Sequence, residues 1–205
     1  MAVIDAGDGN DWIFSGAGAS NNIGGSGRDF VSYALMDATE SGVTLDLLDA
    51  SNNSGYAIGD TFDGIEQIEG SNNADTFIFD GPIQKLNARG GDDTIIDHSG
   101  NTHLWGGTGA DTFVSREGAG RANIRGFSTV EGDLIDMSEW GETGLDDASF
   151  EVARRYSKGS SKYDTDAVLL LLDDEGQRLD GVVVNHVSWD SNGNYSLSES
   201  DFIFA

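Results

Sequence analysis

The sequence predicts an all-β fold of short stacked repeats, closed at its C-terminal end by an antiparallel β cap. Three observations carry that expectation. A nine-residue pattern recurs within residues 6–32 and 70–114. Glycine makes up 29 of 205 residues and proline only one, about twice the usual ~7% glycine share, which favours many tight turns over long helices. Toward the C-terminus, Ala167-Val168-Leu169-Leu170-Leu171-Leu172 and Gly181-Val182-Val183-Val184-Asn185-His186-Val187 read as two strands joined by a turn at Asp173-Asp174-Glu175-Gly176.

The pattern is clearest at Gly106-Gly107-Thr108-Gly109-Ala110-Asp111-Thr112-Phe113-Val114. Its first half is too rich in glycine for a helix or a strand interior. It suits a tight turn, because glycine accepts positive φ and close backbone approach. Asp111 closes the turn with a carboxylate. Thr112-Phe113-Val114 then forms a short strand with Phe113 facing one way and its neighbours the other. Gly24-Gly25-Ser26-Gly27-Arg28-Asp29-Phe30-Val31-Ser32 is a second full match. Ala6-Gly7-Asp8-Gly9-Asn10-Asp11-Trp12-Ile13-Phe14 departs only at its first residue. The units starting at 70 and 88 keep the acid (Asp75, Asp93) and the apolar residue (Phe77, Ile95). Starts at 6, 15 and 24, and at 70, 79, 88, 97 and 106, are nine apart. The unit at 15 has Ser20 in the acidic slot and is expected to be a plain turn.

These units resemble the RTX, or haemolysin-type, calcium-binding repeats of bacterial secreted proteins. The resemblance implies a parallel β-roll with two nonapeptides per coil. Calcium would sit between turns on the same edge of adjacent coils. The expected ligands are Gly7, Asp8, Gly9 and Asp11 in the first unit and Gly25, Gly27 and Asp29 in the third. In the second block they are Asn72 and Asp75, then Gly90, Asp92 and Asp93, then Gly107, Gly109 and Asp111. With two units per coil, Asp75, Asp93 and Asp111 fall on one edge, and Gln84 and Thr102 take the other. Residues 33–69 resemble a spacer common between such repeats. The roll is expected over 1–126, and the cap and secretion-signal region over 127–205.

Turn carbonyls and carboxylates suit calcium, a hard cation that takes six to eight oxygens at ~2.3–2.6 Å. Zinc and copper favour nitrogen or sulfur ligands. His98 and His103 lie five residues apart, not a usual zinc spacing, and are expected at the surface; His186 is expected to be structural. The stretch Asp49 to Gly55 only faintly matches an EF-hand loop, since Asp60 stands where its closing glutamate belongs.

Charge narrows the field of partners. There are 36 acidic and 11 basic residues, a net −25. Such a chain repels itself when compact and folds more readily with counter-ions. Nucleic acid is excluded as a partner, because phosphate binding needs a basic stripe. No apolar run approaches the ~18 residues of a membrane span. With no cysteine there are no disulfides and no thiolate chemistry. No serine–histidine–acid constellation, P-loop or metal-hydrolase motif stands out, so a non-catalytic role is expected.

Beyond the repeats, Ile124-Arg125-Gly126-Phe127 and Gly132-Asp133-Leu134-Ile135-Asp136-Met137-Ser138 resemble the segment that closes RTX arrays, with Gly126 where the family usually has aspartate. Asp133 and Asp136 are candidate end-of-roll ligands or caps of the last strands. The tail Asp201-Phe202-Ile203-Phe204-Ala205 resembles an uncleaved type I secretion signal. The resemblance therefore implies a secreted, extracellular bacterial module, handled by a type I exporter, in a larger secreted protein. An alternative is a module binding an acidic, alginate-like polyuronate, resembling the R-modules of secreted alginate epimerases. Its candidate residues are the clustered cations Arg116, Arg121, Arg125, Arg154, Arg155, Lys158 and Lys162.

Overall fold

A three-residue strand with one inward side chain buries almost nothing alone. It becomes stable only when the next coil lies against it. The computed structural model describes residues 1–36, 41–100, 102–116, 121–140, 150–155, 165–172, 178–187 and 199–203, and it shows such a stack: an all-β parallel solenoid. No helix among the described residues is long and apolar enough to cross a membrane.

One face is a continuous sheet. Trp12–Phe14, Phe30–Ser32, Gln67–Glu69, Lys85–Gly90, His103–Thr108, Arg121–Arg125 and Arg178–Val187 pair in parallel, one after another. Thr165–Leu172 and Phe150–Arg155 then extend it antiparallel, as the cap. The turn expected at 173–176 lies outside the described residues.

The other face is split. Ala2–Asp5, Ser20–Ile23 and Thr61–Asp63 form a three-stranded sheet. Thr44–Asp46, Thr76–Phe79, Thr94–Asp97, Thr112–Val114, Leu134–Asp136 and Phe202–Ile203 form a six-stranded one. Phe77, Ile95 and Phe113 are register partners at steps of eighteen residues, which is two nonapeptides per coil. The inward residues Leu45, Phe77, Ile95, Phe113 and Ile135 meet Ile68, Leu86, Leu104 and Ile124 from the long sheet in one buried core.

The spacer causes the split. The chain leaves Phe30–Ser32, lays Thr44–Asp46 beside the later strand Thr76–Phe79, then turns back to lay Thr61–Asp63 beside the earlier Ser20–Ile23. Chain order and stacking order are reversed there. The 3-10 turns Ala50–Asn52 and Gly55–Ala57 make the return, with Asp49 capping the first at Ser51. This is the stretch that faintly matched an EF-hand loop.

The unit at 15 is more than a plain turn. Its inward slot holds buried Asn22, whose amide donates to Ser20 Oγ at 3.1 Å. Asp60, forty residues on, takes the Ser20 N–H at 2.7 Å and the Tyr33 hydroxyl at 2.9 Å.

Candidate metal-binding turns

Two pairs of glycine-rich turns stack coil on coil. Turn 6–11 lies against 24–29, with Asp8 opposite Ser26 and Gly9 opposite Gly27. Turn 88–93 lies against 106–111, with Arg89 opposite Gly107 and Gly90 opposite Thr108. The approach is close enough to demand glycine. A Cβ on Gly25 would collide with the Gly7 carbonyl oxygen, and one on Gly27 with that of Gly9. Likewise, Gly107 faces the carbonyl of Arg89, and Gly109 that of Gly91. All four glycines have positive φ, from +97° to +140°. Each pair therefore presents two main-chain oxygens of one turn to the floor of the next.

Arg89 is the non-glycine exception, held at φ +82° where the pattern has glycine. Left-handed backbone costs an L-residue about 1–2 kcal/mol. Its side chain is anchored by Glu69 Oε1 at 2.8 Å and Asn72 Oδ1 at 3.2 Å. Gly90 ends a strand, while the carbonyl that faces Gly109 belongs to Gly91.

The acids form ladders between coils. On one edge, Asp29 Oδ1 accepts the Asp11 N–H at 2.9 Å, and Glu66 Oε2 accepts the Asp29 N–H at 2.8 Å. On the other edge, Asp75 accepts from Val43, Asp93 from Asp75, Asp111 from Asp93 and Asp133 from Asp111, at 2.7–3.0 Å. The three acids expected on one edge are thus stacked there, and Asp133 adds a rung beyond Asp111. The first block uses the opposite edge. Asp11 and Asp29 precede strands of the long sheet, whereas Asp75, Asp93 and Asp111 follow them. A second, outer row of caps runs beside these: Asn10 Oδ1 takes the Arg28 N–H, and Asp92 Oδ1 the Ala110 N–H, both at 2.9 Å.

The second carboxylate oxygens separate the acids into two kinds. Asp75 Oδ2 accepts the Ser71 N–H, and Asp133 Oδ2 the Ser128 N–H, both at 2.7 Å. Those two acids brace their own turns. In Asp11, Asp29, Asp93 and Asp111, Oδ2 is buried with no hydrogen-bond partner among the described residues. These four belong to the two stacked pairs. A buried anionic oxygen without a partner is costly. A hard cation bound by carboxylate and carbonyl oxygens would remove that cost, so the donor set fits calcium. Among the described residues no three side chains of histidine, cysteine, aspartate or glutamate converge on one point. The donors here are largely main-chain.

Electrostatics agree. Burial first, and then the neighbouring Asp75, Asp111 and Asp92 carboxylates, push Asp93 up to about 9. Burial, with Asp133, Asp92 and Glu131 nearby, pushes Asp111 up to about 7. Burial also raises Asp75 and Asp133. In the cation-free chain these folded-state values lie above the ~3.9 of an unfolded aspartate, so folding takes up protons. The stability that Asp93 and Asp111 contribute is full below pH ~4 and is lost as pH rises through about 7 and 9. With chelator present, the melting temperature should therefore be higher at pH 5 than at pH 8. A chelated chain that melts lower at pH 5 contradicts the ladder electrostatics.

Five of the seven clustered cations lie among the described residues, spread over separate elements. Arg116 pairs with Glu139 at 3.0 Å. Arg125 stands on the long sheet beside Trp105. Arg121 is in the strand Arg121–Arg125, and Arg154 and Arg155 are in Phe150–Arg155. Lys158 and Lys162 lie outside the described residues. Lys85 joins Arg125 at Trp105, and the eighteen-residue offset between the strands of Lys85 and Trp105 could have suggested the first of these neighbours. His103 is exposed and faces Arg125, whose Nε lies 3.3 Å from its Nδ1.

No family model and no curated protein matches this chain. Among solved structures it is similar to the extracellular lipase LipA from Serratia marcescens, at 16% identity and a TM-score of 0.31. The match covers 99% of this chain and 38% of that one. The fold rests on the strand pairing itself.

Proposed function

We propose that this chain is an RTX-type calcium-binding module that completes its fold on extracellular calcium and supports the secretion and stability of a larger secreted protein. The observation that carries the reading is the set of four buried, unpartnered Oδ2 atoms that come together in the two stacked turn pairs; Asp97 Oδ2, at the end of the strand Thr94–Asp97, is the other such carboxylate oxygen among the described residues. Asp11 and Asp29, with the Gly7 and Gly9 carbonyls, would hold calcium on one edge. Asp93 and Asp111, with those of Arg89 and Gly91, would hold it on the other. The cation offsets the charge of the stacked carboxylates, of which burial pushes Asp93 and Asp111 up. The chain's own part is to supply preformed oxygens and to exclude side chains by using glycine. Equilibrium dialysis at millimolar calcium should find one strongly held ion for each pair. A chain that binds none overturns the reading.

Catalysis is left to another part of the larger protein. Export is the second half of the proposal. Loosely folded in a calcium-poor cytosol, the chain can thread a type I channel, and folding outside prevents its return. In the folded chain, Phe202–Ile203 pairs with Leu134–Asp136, and Phe202 is buried. The exporter must therefore read the tail before it docks. Removing residues 201–205 should abolish secretion from cells carrying a matching exporter. Secretion equal to that of the full chain would sink the export role and leave the calcium sites standing.

A further inference from the structure

The first coil of the solenoid is stacked on one side only. Ala2–Asp5 is the end strand of the three-stranded sheet, and Trp12–Phe14 is the end strand of the long one. An end strand presents a row of unpaired N–H and C=O groups. Val3, Trp12 and Phe14 are exposed there. Turn 6–11, between the two strands, is shaped like a turn that is covered. Gly7 and Gly9 stand at φ +95° and +140°, against +97° and +140° for Gly25 and Gly27. The carbonyls of Gly7 and Gly9 rest on Gly25 and Gly27. On Gly7 itself nothing among the described residues lies within 4 Å of where a Cβ would be, and on Gly9 only the Asp11 side chain of the same turn does.

The hydrogen-bond rows end at the same place. In each rung of the acid ladder, Oδ1 of the later acid accepts the N–H of the earlier one: Asp29 from Asp11, Asp93 from Asp75, Asp111 from Asp93. No described N–H reaches the carboxylate of Asp11. The outer row runs the other way. Asn10 and Asp92, in the earlier turn of each pair, accept from Arg28 and Ala110 in the later turn.

We infer that this end is a docking surface for one more coil, supplied by a partner polypeptide. The coil is a strand, a Gly-x-Gly turn followed by asparagine or aspartate and then aspartate, and a second strand, added in parallel by β-augmentation. The carbonyls of its two glycines would rest on Gly7 and Gly9. The N–H of its closing aspartate would go to Asp11 Oδ1. Its asparagine or preceding aspartate would take the Asn10 N–H. The contact continues the packing that already joins turn 6–11 to turn 24–29. Trp12 would meet the partner strand as it meets Phe30 on its other side, where the ring centroids are 4.2 Å apart. Asp11 Oδ2, the oxygen assigned to the ion, is not used. A second copy of this chain fits the edge poorly. A two-fold contact would run the end strands antiparallel and set Asp5, Asp8 and Asp11 against the same acids. The surface does not depend on the calcium reading beyond the fold it shares.

The probe is a synthetic peptide with the sequence of residues 2–14, which holds the required turn with Asn10 in place. It is added to the full chain in calcium, under conditions where circular dichroism shows the fold. Titration calorimetry should find one peptide per chain. Hydrogen exchange of the chain should slow at residues 2–14 and stay unchanged in the cap strand Phe150–Arg155. The peptide carrying Asn10→Arg, which copies the residue of the later turn, should bind roughly fivefold more weakly, as for one lost hydrogen bond. A peptide of the same composition in scrambled order should not bind. Every change is made in the peptide, so the folding of the chain is untouched. No binding, equal binding of the scrambled or the Asn10→Arg peptide, or protection elsewhere in the chain overturns the proposal. A peptide-free dimer through the same edge, seen by sedimentation, also overturns it, since a second copy is then the occupant.

Discussion

Stripping calcium from the folded chain should remove most of its β signal at neutral pH, and restoring calcium should bring the signal back. Four carboxylates with a buried, unpartnered oxygen stand in the two stacked turn pairs. The chain around them carries −25. Two bound ions would move that toward about −21, with the change concentrated where the acids are stacked. If each site binds like other extracellular calcium modules, near 10⁻⁴–10⁻³ M, a hundredfold excess adds about 2.7 kcal/mol per site. Two sites then give about 5 kcal/mol, comparable with the stability of a small domain. Circular dichroism with chelator and then with calcium reads this directly. An unchanged β signal and melting temperature in chelator would show that calcium is not part of the fold.

Asp93→Ala should cost the chain one calcium ion, and Asp75→Ala should cost it none. The two acids are neighbours in one ladder, and both are buried. They differ at Oδ2, which is unpartnered in Asp93 and bound to the Ser71 N–H in Asp75. Losing Asp75 forfeits hydrogen bonds from Val43 and Ser71, about 1–3 kcal/mol, whether or not calcium is present. Losing Asp93 forfeits the cap on Asp75 and the ion together, so its penalty should grow with calcium concentration. Asp29→Ala should behave like Asp93→Ala on the opposite edge. Equal calcium stoichiometry in the Asp93 and Asp75 variants would show that the free oxygen does not mark the sites.

Much of this was legible in the sequence. The nine-residue period fixed the turns, and its doubling put Phe77, Ile95 and Phe113 in one inward row. Alternation of Asp75, Gln84, Asp93, Thr102 and Asp111 foretold an acidic edge and a neutral one in the second block. What escaped was non-local. Asp60 braces Ser20 from forty residues away, across a spacer whose two strands stack in reverse order. The same reversal moves the acids from one edge to the other, and no local pattern encodes it. Asp133 joins the ladder twenty-two residues after Asp111, because the last coil is longer than eighteen and breaks the period. The difference between Asp75 and Asp93 lies at the second position of their units, which is Ser71 before Asp75 and Arg89 before Asp93. The Ser71 N–H and hydroxyl occupy the carboxylate that a cation would otherwise share.

The most direct test of the central claim is a calcium anomalous difference map from crystals grown in millimolar calcium. It should show one peak between Asp11 and Asp29, within reach of the Gly7 and Gly9 carbonyls. A second should lie between Asp93 and Asp111, within reach of those of Arg89 and Gly91. Peaks elsewhere with both turn pairs empty, or no peak in a chain folded as described, would contradict the account.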